Sequence, residues 1–262
     1  MQHVISRDGT HIAYDTFGAG PVLLIVLGAL TTRVSGSVPQ LAQLLAQHFT
    51  VINFDRRGRG DSTDTLPYTI DKEIDDIQVL IESAGGKAYL YGHSSGAALA
   101  LDAAVRLGDH VVGLAMYEAP YNNDVSAQQA WREYNQQLTQ LLAAHKRGDA
   151  VALFRRYTGA SAEQIERMRH APFWPALEAV APTLAYDHTA ILGDLSVPVQ
   201  KAQMITLPTL VMYGTAGDPS MADAAKMVSQ AIPHATLRAL ENQTHMVDPA
   251  VLAPLLVEFF QR

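Results

Sequence analysis

The chain has 262 residues, of which 48% are hydrophobic and 17% are charged, a composition that excludes a disordered protein and fits one large domain or a core domain with an insertion. The formal net charge of −7 argues against a protein that binds a nucleic-acid backbone, because such proteins need clustered Lys and Arg. The sequence contains no cysteine, which excludes disulfides, thiolate metal sites and a cysteine nucleophile.

Strand and helix patterns alternate along the first 120 residues. A hairpin is predicted at the N-terminus, because the turn at Asp8-Gly9 separates two short strand patterns at residues 4–5 and 11–17. The continuous apolar run at residues 22–27 predicts a strand that is buried on both faces, as in a parallel sheet. Apolar spacing predicts further strands at residues 51–54, 88–91 and 111–117 and helices at residues 38–49, 70–84 and 96–107.

The pattern changes after residue 120. Residues 121–207 have almost entirely helical spacing, and the alternation then resumes. Strands are predicted at residues 209–213 and 235–240, and helices at residues 222–232 and 249–260, the last with Asp248 as its N-cap and Pro249 at its first position. The sequence therefore predicts an α/β fold with a mostly parallel sheet flanked by helices. Its core comprises residues 1–120 and 208–262, and a helical cap of residues 121–207 follows the sixth strand and covers the carboxyl edge of the sheet, where ligands bind in open α/β folds.

A candidate nucleophile lies between the predicted strand at 88–91 and the helix at 96–107. The run Gly92-His93-Ser94-Ser95-Gly96 is a G-x-S-x-G motif in the strand–turn–helix context that this motif requires. The turn would expose the Ser94 hydroxyl above the sheet, and small residues at the two Gly positions would leave room for it. The alternative interpretation is a Gly-rich turn that contains an incidental serine.

A serine hydroxyl needs a neighbouring base that accepts its proton. The base in turn needs an acid that fixes its tautomer and stabilises its positive charge. The predicted base is His245, in the loop between the last strand and the last helix. Two carboxylates satisfy the chain order of serine, acid and histidine. Asp218, after the strand at 209–213, is preferred, and Glu118, after the strand at 111–117, is the alternative. A loop carboxylate that caps a turn or helix is the alternative role for either.

The remaining site predictions concern the oxyanion and the substrate. Backbone N–H groups of Ser95 and Ala29, or Leu30 in place of Ala29, are expected to form the oxyanion hole. Leu30, His93, Trp131 and Trp174 are candidates for the substrate pocket, joined by the less specific Tyr134, Phe173 and Tyr186. For these aromatic side chains of the cap, a place in the core of the cap is an equally good interpretation.

These motifs resemble the α/β-hydrolase superfamily over essentially the whole chain, and they look closest to small, capped bacterial hydrolases. The resemblance is carried by residues 27–29 for the oxyanion turn, residues 55–62 for the loop after the fourth strand, residues 92–96 for the nucleophile and the loop around His245. Two departures stand out. Leu27 replaces the histidine that usually orders the oxyanion turn, and Asp218 comes one residue later than the common spacing. In similar members the Asp loop is often degenerate, which favours Glu118.

The resemblance implies the fold and a serine-type triad but no particular substrate. The leading hypothesis is a carboxylesterase-like serine hydrolase that cleaves a small, largely apolar ester or related acyl compound through an acyl-enzyme on Ser94. Two alternatives stay open: a cofactor-free perhydrolase, haloperoxidase or lyase on the same fold, and a non-catalytic ligand-binding protein. No metal or other cofactor is expected, because the His and acidic residues lack metal-site spacing.

The expected partner is a small-molecule substrate. Nucleic acid is not expected, because the one dense basic run, residues 56–59, is flanked by Asp55 and Asp61 and is interpreted as a loop. The N-terminus lacks the apolar core of a signal peptide, and the longest apolar stretch, residues 21–30, is about half the length that spans a bilayer. We therefore expect a cytoplasmic protein without a membrane span, either a monomer or a homodimer.

Overall fold

Eight strands form one sheet in the computed structural model, which describes all 262 residues. The strands are β1 (Gln2–Ile5), β2 (His11–Phe17), β3 (Val22–Val26), β4 (Thr50–Phe54), β5 (Ala88–His93), β6 (Val111–Tyr117), β7 (Thr209–Gly214) and β8 (Thr236–Leu240). Their order across the sheet is β1-β2-β4-β3-β5-β6-β7-β8. The β1–β2 and β2–β4 pairs are antiparallel and every other pair is parallel, which confirms the predicted mostly parallel sheet.

Ten α-helices connect or follow these strands. They are α1 (Val38–Leu45), α2 (Ile70–Ser83), α3 (Ser95–Leu107), α4 (Val125–Ala143), α5 (Arg147–Tyr157), α6 (Ala162–Arg169), α7 (Trp174–Val180), α8 (Val199–Ala202), α9 (Pro219–Ala231) and α10 (Pro249–Phe260). The predicted helix at 38–49 ends early, at Leu45, and α9 begins three residues before its predicted start because Pro219 occupies its first turn. No helix combines the length and apolarity needed to cross a bilayer.

The apolar run of β3 explains why the sheet is covered on both sides. Leu23 and Ile25 belong to a buried cluster with residues of α1 and α10. Leu24 and Val26 belong to a second cluster with residues of α2, α3 and α9. Alternate side chains of a strand point to opposite faces, so a strand that is buried on both faces needs an unbroken apolar sequence.

The helical insertion, residues 121–207, lies between β6 and β7 and contains α4 to α8, so a helical segment follows the sixth strand as predicted. It also contains a six-residue π-helix, Tyr186–Ile191. Buried residues of the insertion, among them Trp131 and Leu138, are part of the same apolar cluster as Leu24 and Val26 of β3. The insertion therefore shares a continuous core with one face of the sheet.

Candidate active site

Ser94 lies on a sharp turn between β5 and α3. Its backbone has φ of 57° and ψ of −130°, in a left-handed region that non-glycine residues rarely adopt and that is common at functional sites. At the positions of the two flanking glycines there is no room for a side chain. A Cβ on Gly92 would come within 2.5 Å of Ala97 Cα, and one on Gly96 within 2.2 Å of the Val26 carbonyl oxygen. Close packing of α3 against the sheet thus requires the two glycines of the motif.

The turn after β3 packs directly against Ser94. A Cβ on Gly28 would lie 2.8 Å from Ser94 Cβ and 3.4 Å from its hydroxyl oxygen. Ala29 follows Gly28 and is half-buried, and Leu30 is buried with a left-handed φ of 57°. On the other side of Ser94, Ser95 is buried as the first residue of α3. The N-terminus of a helix favours negative charge, such as that of an oxyanion. The residues predicted to supply the oxyanion donors therefore lie beside the Ser94 turn.

The predicted base is hydrogen-bonded to a buried carboxylate. His245 Nδ1 lies 2.6 Å from Glu118 Oε2, and the side chain of Glu118 is fully buried while that of His245 is 43% exposed. The N–H of Gly214 donates to the other oxygen, Glu118 Oε1, at 2.9 Å. With both oxygens engaged, the carboxylate can hold the Nδ1–H tautomer of the imidazole and leave Nε2 free to accept a proton.

The backbone after β6 explains how Glu118 reaches this position. Glu118 directly follows Tyr117, has a left-handed φ of 48°, and donates its N–H to the carbonyl of Met212 on the neighbouring strand β7 at 3.0 Å. The hydroxyl of Tyr117 donates to the carbonyl of Thr244 at 2.6 Å. The end of β6 therefore holds both Glu118 and the loop that carries His245.

These contacts join His245 to the alternative carboxylate, Glu118, and not to the preferred Asp218. Asp218 is exposed and serves as the N-cap of α9, where its Oδ1 accepts the N–H of Ser220 at 2.9 Å. Its loop instead passes over the buried acid, because Gly217 lies beside Glu118 Oε1 and the backbone of His245. A carboxylate engaged in capping a helix at the surface does not orient the imidazole, whereas the alternative residue, Glu118, contacts it.

His93 connects the nucleophile turn to the loop of the base. Its Nε2 lies 2.9 Å from the carbonyl oxygen of His245, and the two imidazole rings are 4.8 Å apart. Burial, reinforced by the neighbouring His245, lowers the pKa of His93 to about 3, so that His93 is neutral and donates its Nε2–H to this carbonyl. His93 thus supports the loop of the base rather than acting as a second base.

The three chemical groups share one edge of the sheet. The N–H of Ser94 donates to the carbonyl of Tyr117 at 2.9 Å, which joins the turn after β5 to the end of β6, where Glu118 begins. His245 lies in the loop after β8 and contacts Glu118 and His93. No hydrogen bond joins the hydroxyl of Ser94 to the imidazole of His245 in this structure, and such catalytic hydrogen bonds often tighten only in the substrate complex.

The aromatic side chains predicted for the substrate pocket pack mostly within the helical insertion. Trp131 is 2% exposed and donates its Nε1–H to the carbonyl of Gly193 at 2.8 Å. Trp174 is 4% exposed and donates to Glu178 at 2.9 Å. Both indoles belong to the core of the insertion, so their prediction as pocket residues is corrected in favour of the alternative that the sequence left open. Leu30, by contrast, follows the Gly28 turn that packs against Ser94, and His93 directly precedes Ser94 in the chain.

A buried group of charges under the turn of Gly28 was not anticipated from the sequence. Arg56 and Arg59, after β4, contact Glu73 of α2 and Asp187 of the π-helix, and all four side chains are essentially inaccessible to solvent. The only sequence signal for this group is the basic run at residues 56–59. Arginines that are buried need buried acidic partners, so the run indicates that such partners exist but not which residues they are. The 26 acidic residues of the chain offer no local pattern that identifies these two partners.

The structure contains no cluster of three or more His, Asp or Glu side chains that could hold a metal ion. This edge of the sheet presents a hydroxyl, an imidazole, a buried carboxylate and backbone N–H groups. These groups are the components of nucleophilic acyl transfer.

Comparison with known proteins extends these observations. Residues 27–255 match the family model described as alpha/beta hydrolase family. The structure is similar to that of an alpha/beta hydrolase from Sphaerobacter thermophilus DSM 20745, with a TM-score of 0.89, 46% identity, and coverage of 99% of this chain and 100% of that one.

Two curated proteins are related in sequence. The (E)-2-((N-methylformamido)methylene)succinate hydrolase of Acinetobacter baylyi (strain ATCC 33305 / BD413 / ADP1) is 27% identical over 243 residues, which cover 90% of this chain and 87% of that protein. The uncharacterized hydrolase YraK of Bacillus subtilis (strain 168) is 33% identical over 107 residues, a match that covers only 39% of either chain.

Proposed function

The chain belongs to the alpha/beta hydrolase family, and we propose that it is a serine hydrolase that cleaves a small, largely apolar carboxylic ester or related acyl compound. The observation that carries this proposal is the 2.6 Å contact between His245 Nδ1 and the buried Glu118, next to the strained turn that holds Ser94. A hydrogen-bonded acid and base beside a serine on a strand–helix turn is the arrangement that activates a hydroxyl for acyl transfer.

In the first half of the reaction, His245 Nε2 accepts the proton of the Ser94 hydroxyl while the oxygen bonds to the carbonyl carbon of the ester. Backbone N–H groups of Ser95 and Ala29 stabilise the resulting oxyanion. Glu118 stabilises the imidazolium and stays ionised. The bond to the alkoxy group then breaks, the alcohol leaves with the proton from His245, and the acyl group remains on Ser94.

In the second half, His245 removes a proton from water, and the oxygen of that water attacks the acyl carbon. The oxyanion forms again between Ser95 and Ala29, and its collapse releases the carboxylic acid while Ser94 regains its proton. The cycle consumes one ester and one water and yields one acid and one alcohol, with no cofactor.

The proposed substrate class rests on two further observations. Leu30, which directly follows Gly28 and Ala29, is a buried apolar residue, so the proposed oxyanion turn continues into the apolar core. The Acinetobacter relative carries the name of a hydrolase of a substituted succinate, which supports a small substrate with a hydrolysable acyl group. We also propose that the helical insertion acts as a cap, with the core formed by residues 1–120 and 208–262.

Labelling with a fluorophosphonate probe tests the proposal. The activated hydroxyl of Ser94 should lose its proton and attack the phosphorus, and fluoride should leave. The peptide that contains Ser94 then gains the mass of the probe less that of hydrogen fluoride. The matched control, Ser94→Ala, should fold normally and stay unlabelled. A folded wild-type protein that resists labelling and hydrolyses no member of a p-nitrophenyl ester panel would contradict the proposal.

The same ester panel, measured with and without hydrogen peroxide, separates hydrolysis from perhydrolysis on this fold. A hydrolase releases the free acid at a rate that peroxide does not increase. Formation of peracid as the main product, with slow release of the free acid, would instead favour the perhydrolase that the sequence left as an alternative.

A further inference from the structure

We propose that Asp187, in the π-helix of the helical insertion, is a positioning residue that aligns both halves of the oxyanion hole. This inference rests on the proposed function. Asp187 lies 92 residues beyond Ser95 in the chain, yet its carboxylate is fully buried against the Ser94 turn. π-Helices are rare and occur frequently at functional sites, which makes this segment of the insertion a suitable place for such a role.

Three groups donate to the carboxylate of Asp187. Its Oδ1 accepts the hydroxyl of Ser95 at 2.8 Å and Nη1 of Arg56 at 2.6 Å. Its Oδ2 accepts Nη2 of Arg59 at 2.6 Å. One carboxylate of the insertion is thus joined to the residue after the nucleophile and to two arginines that come from the loop after β4.

The two arginines also contact the turn that supplies the first oxyanion donor. Nη1 of Arg59 donates to the carbonyl oxygen of Gly28 at 2.5 Å, and Nη1 of Arg56 donates to that of Leu27 at 3.1 Å. The carbonyl of Gly28 and the N–H of Ala29 belong to one planar peptide group and point in opposite directions. A guanidinium that holds this carbonyl therefore also fixes the direction of the Ala29 N–H, and its charge polarises the donor.

The second oxyanion donor is fixed from the side of α3. Ser95 contributes its backbone N–H, and its hydroxyl is the group that donates to Asp187. The Ser95 side chain therefore limits rotation of the residue that carries the donor. The turn itself is supported by the two arginines, which bind the carbonyls of Gly28 and Leu27.

The charges of the group balance only when Asp187 is present. Arg56 also binds Glu73 through two contacts of 2.6 and 2.9 Å, which leaves Asp187 as the only carboxylate that contacts Arg59. Burial opposes ionisation of Asp187, but Arg56 and Arg59 outweigh this effect and lower its pKa to about 2. At neutral pH the carboxylate is therefore ionised and holds both guanidinium groups in place.

The test compares Asp187→Asn with Asp102→Asn. Asp102 of α3 also binds the insertion, through Lys201 of α8 at 2.6 Å, but it makes no contact with the oxyanion turn, so it controls for a general loosening of the insertion. For Asp187→Asn we expect kcat for ester hydrolysis to fall about ten- to one-hundredfold, less than the 10²–10³ typical of a deleted oxyanion donor. We expect KM to change by less than about threefold, because the donors act mainly in the transition state.

Two further measurements separate positioning from a general structural effect. Binding of an aryl trifluoromethyl ketone, which forms a hemiketal oxyanion with Ser94, should weaken in Asp187→Asn by about the same factor as kcat. The shape of the pH profile of kcat/KM should stay unchanged, because the contact between His245 and Glu118 is intact. For Asp102→Asn both kcat and ketone binding should stay within about twofold of wild type.

The outcomes distinguish this inference from the proposed function. A folded Asp187→Asn protein with kcat and ketone affinity equal to those of Asp102→Asn, measured against an active wild type, would overturn the positioning role alone. A wild type without labelling or turnover would overturn both. If Asp187→Asn does not fold, Ser95→Ala decides, because it keeps all four charges. A threefold or larger loss of kcat supports the role, and a wild-type kcat overturns it.

Discussion

Two wholly buried carboxylates serve the same edge of the sheet from different regions of the molecule. Glu118, at the end of β6 in the core, is compensated by an imidazole that is 43% exposed and by one backbone N–H. Asp187, in the helical insertion, is compensated by two buried guanidinium groups and a hydroxyl. Both are equally inaccessible to solvent, but the groups that offset their burial differ in whether their charge can change.

The difference fits the two proposed roles, with Glu118 as a carboxylate that takes part in the reaction and Asp187 as one that holds the site in shape. A buried charge is tolerated only when partners compensate it. The partner of Glu118 is a histidine, and the proton that it accepts from Ser94 in the proposed reaction creates an ion pair. The partners of Asp187 are arginines, which stay charged at every pH at which proteins fold. Each prediction below perturbs one of these two regions.

The largest effect is expected on the reactive side. Glu118→Gln should lower kcat for ester hydrolysis by about 10⁴, because a neutral amide neither fixes the Nδ1–H tautomer of His245 nor stabilises its imidazolium. Steady-state rates on a p-nitrophenyl ester measure this loss.

The matched control is Asp218→Asn, which removes the charge of the acid that the sequence favoured while keeping a good N-cap for α9. Its kcat should stay within about threefold of wild type. If Asp218→Asn were the slower variant, the comparison between Glu118 and Asp187 would lose its premise, because Glu118 would then be a structural carboxylate as well.

The insertion side should be more sensitive in stability than in chemistry. Arg56→Met removes the cationic partner of Glu73 and leaves Asp187 with Arg59 alone, and we expect the free energy of unfolding to fall by about 3–5 kcal/mol, as for other broken buried ion pairs. Urea unfolding monitored by circular dichroism measures the change. Arg106→Met breaks two ion pairs of a half-exposed side chain, with Asp71 and Asp75, and should cost no more than about 1 kcal/mol.

A pH experiment sharpens the contrast, because His188 adjoins Asp187 in the π-helix. Burial lowers the pKa of the His188 imidazole from 6.5 to about 4, despite the attraction of Asp187. The unfolded chain therefore binds this proton first as the pH falls. The stability contributed by neutral His188 is fully present above pH 6.5 and is lost as the pH falls towards 4.

We expect His188→Asn, which retains a polar atom near the hydroxyl of Tyr134, to lose about 2 kcal/mol less stability than wild type between about pH 7 and about pH 4.5. Urea unfolding at several pH values measures the slope. The surface variant His170→Asn should keep the wild-type slope. Parallel curves for wild type and His188→Asn would show that the acid sensitivity comes from elsewhere, with His93 the next candidate because burial lowers its pKa to about 3.

The fold could be predicted from sequence because its signals are local. The apolar run of β3 predicts a strand that is buried on both faces, and the structure has Leu23 and Leu24 in separate cores on the two sides. The G-x-S-x-G motif locates the turn of Ser94 because its two glycines answer a steric need of that turn. Helix and strand ends were less predictable, as the early end of α1 at Leu45 shows.

The polar partners could not be predicted in the same way, because contacts between distant residues leave no spacing to read. Asp187 meets Arg56 and Arg59 across more than 120 residues of chain. The choice of acid was different, since a local signal did exist. Asp218 precedes Pro219 as Asp248 precedes Pro249, and Asp-Pro with proline in the first helical turn is typical of a helix N-terminus. Applied to both positions, the pattern predicts that both carboxylates are helix caps. Glu118 then remains as the predicted acid partner of His245.

The smallest expected effect tests whether Asp218 and Asp248 are equivalent as helix caps. Asp218→Ala and Asp248→Ala each remove a side-chain acceptor for a backbone N–H, that of Ser220 at 2.9 Å and that of Ala250 at 2.8 Å. We expect each variant to lose about 1 kcal/mol of unfolding free energy, measured by urea unfolding, and to keep the wild-type kcat, because neither exposed carboxylate contacts His245. Equal losses in stability with unchanged turnover would make Asp218 a helix cap like Asp248. A loss of turnover confined to Asp218→Ala would instead show that Asp218 takes part in the reaction, because the loss of a helix cap alone would affect both variants in the same way.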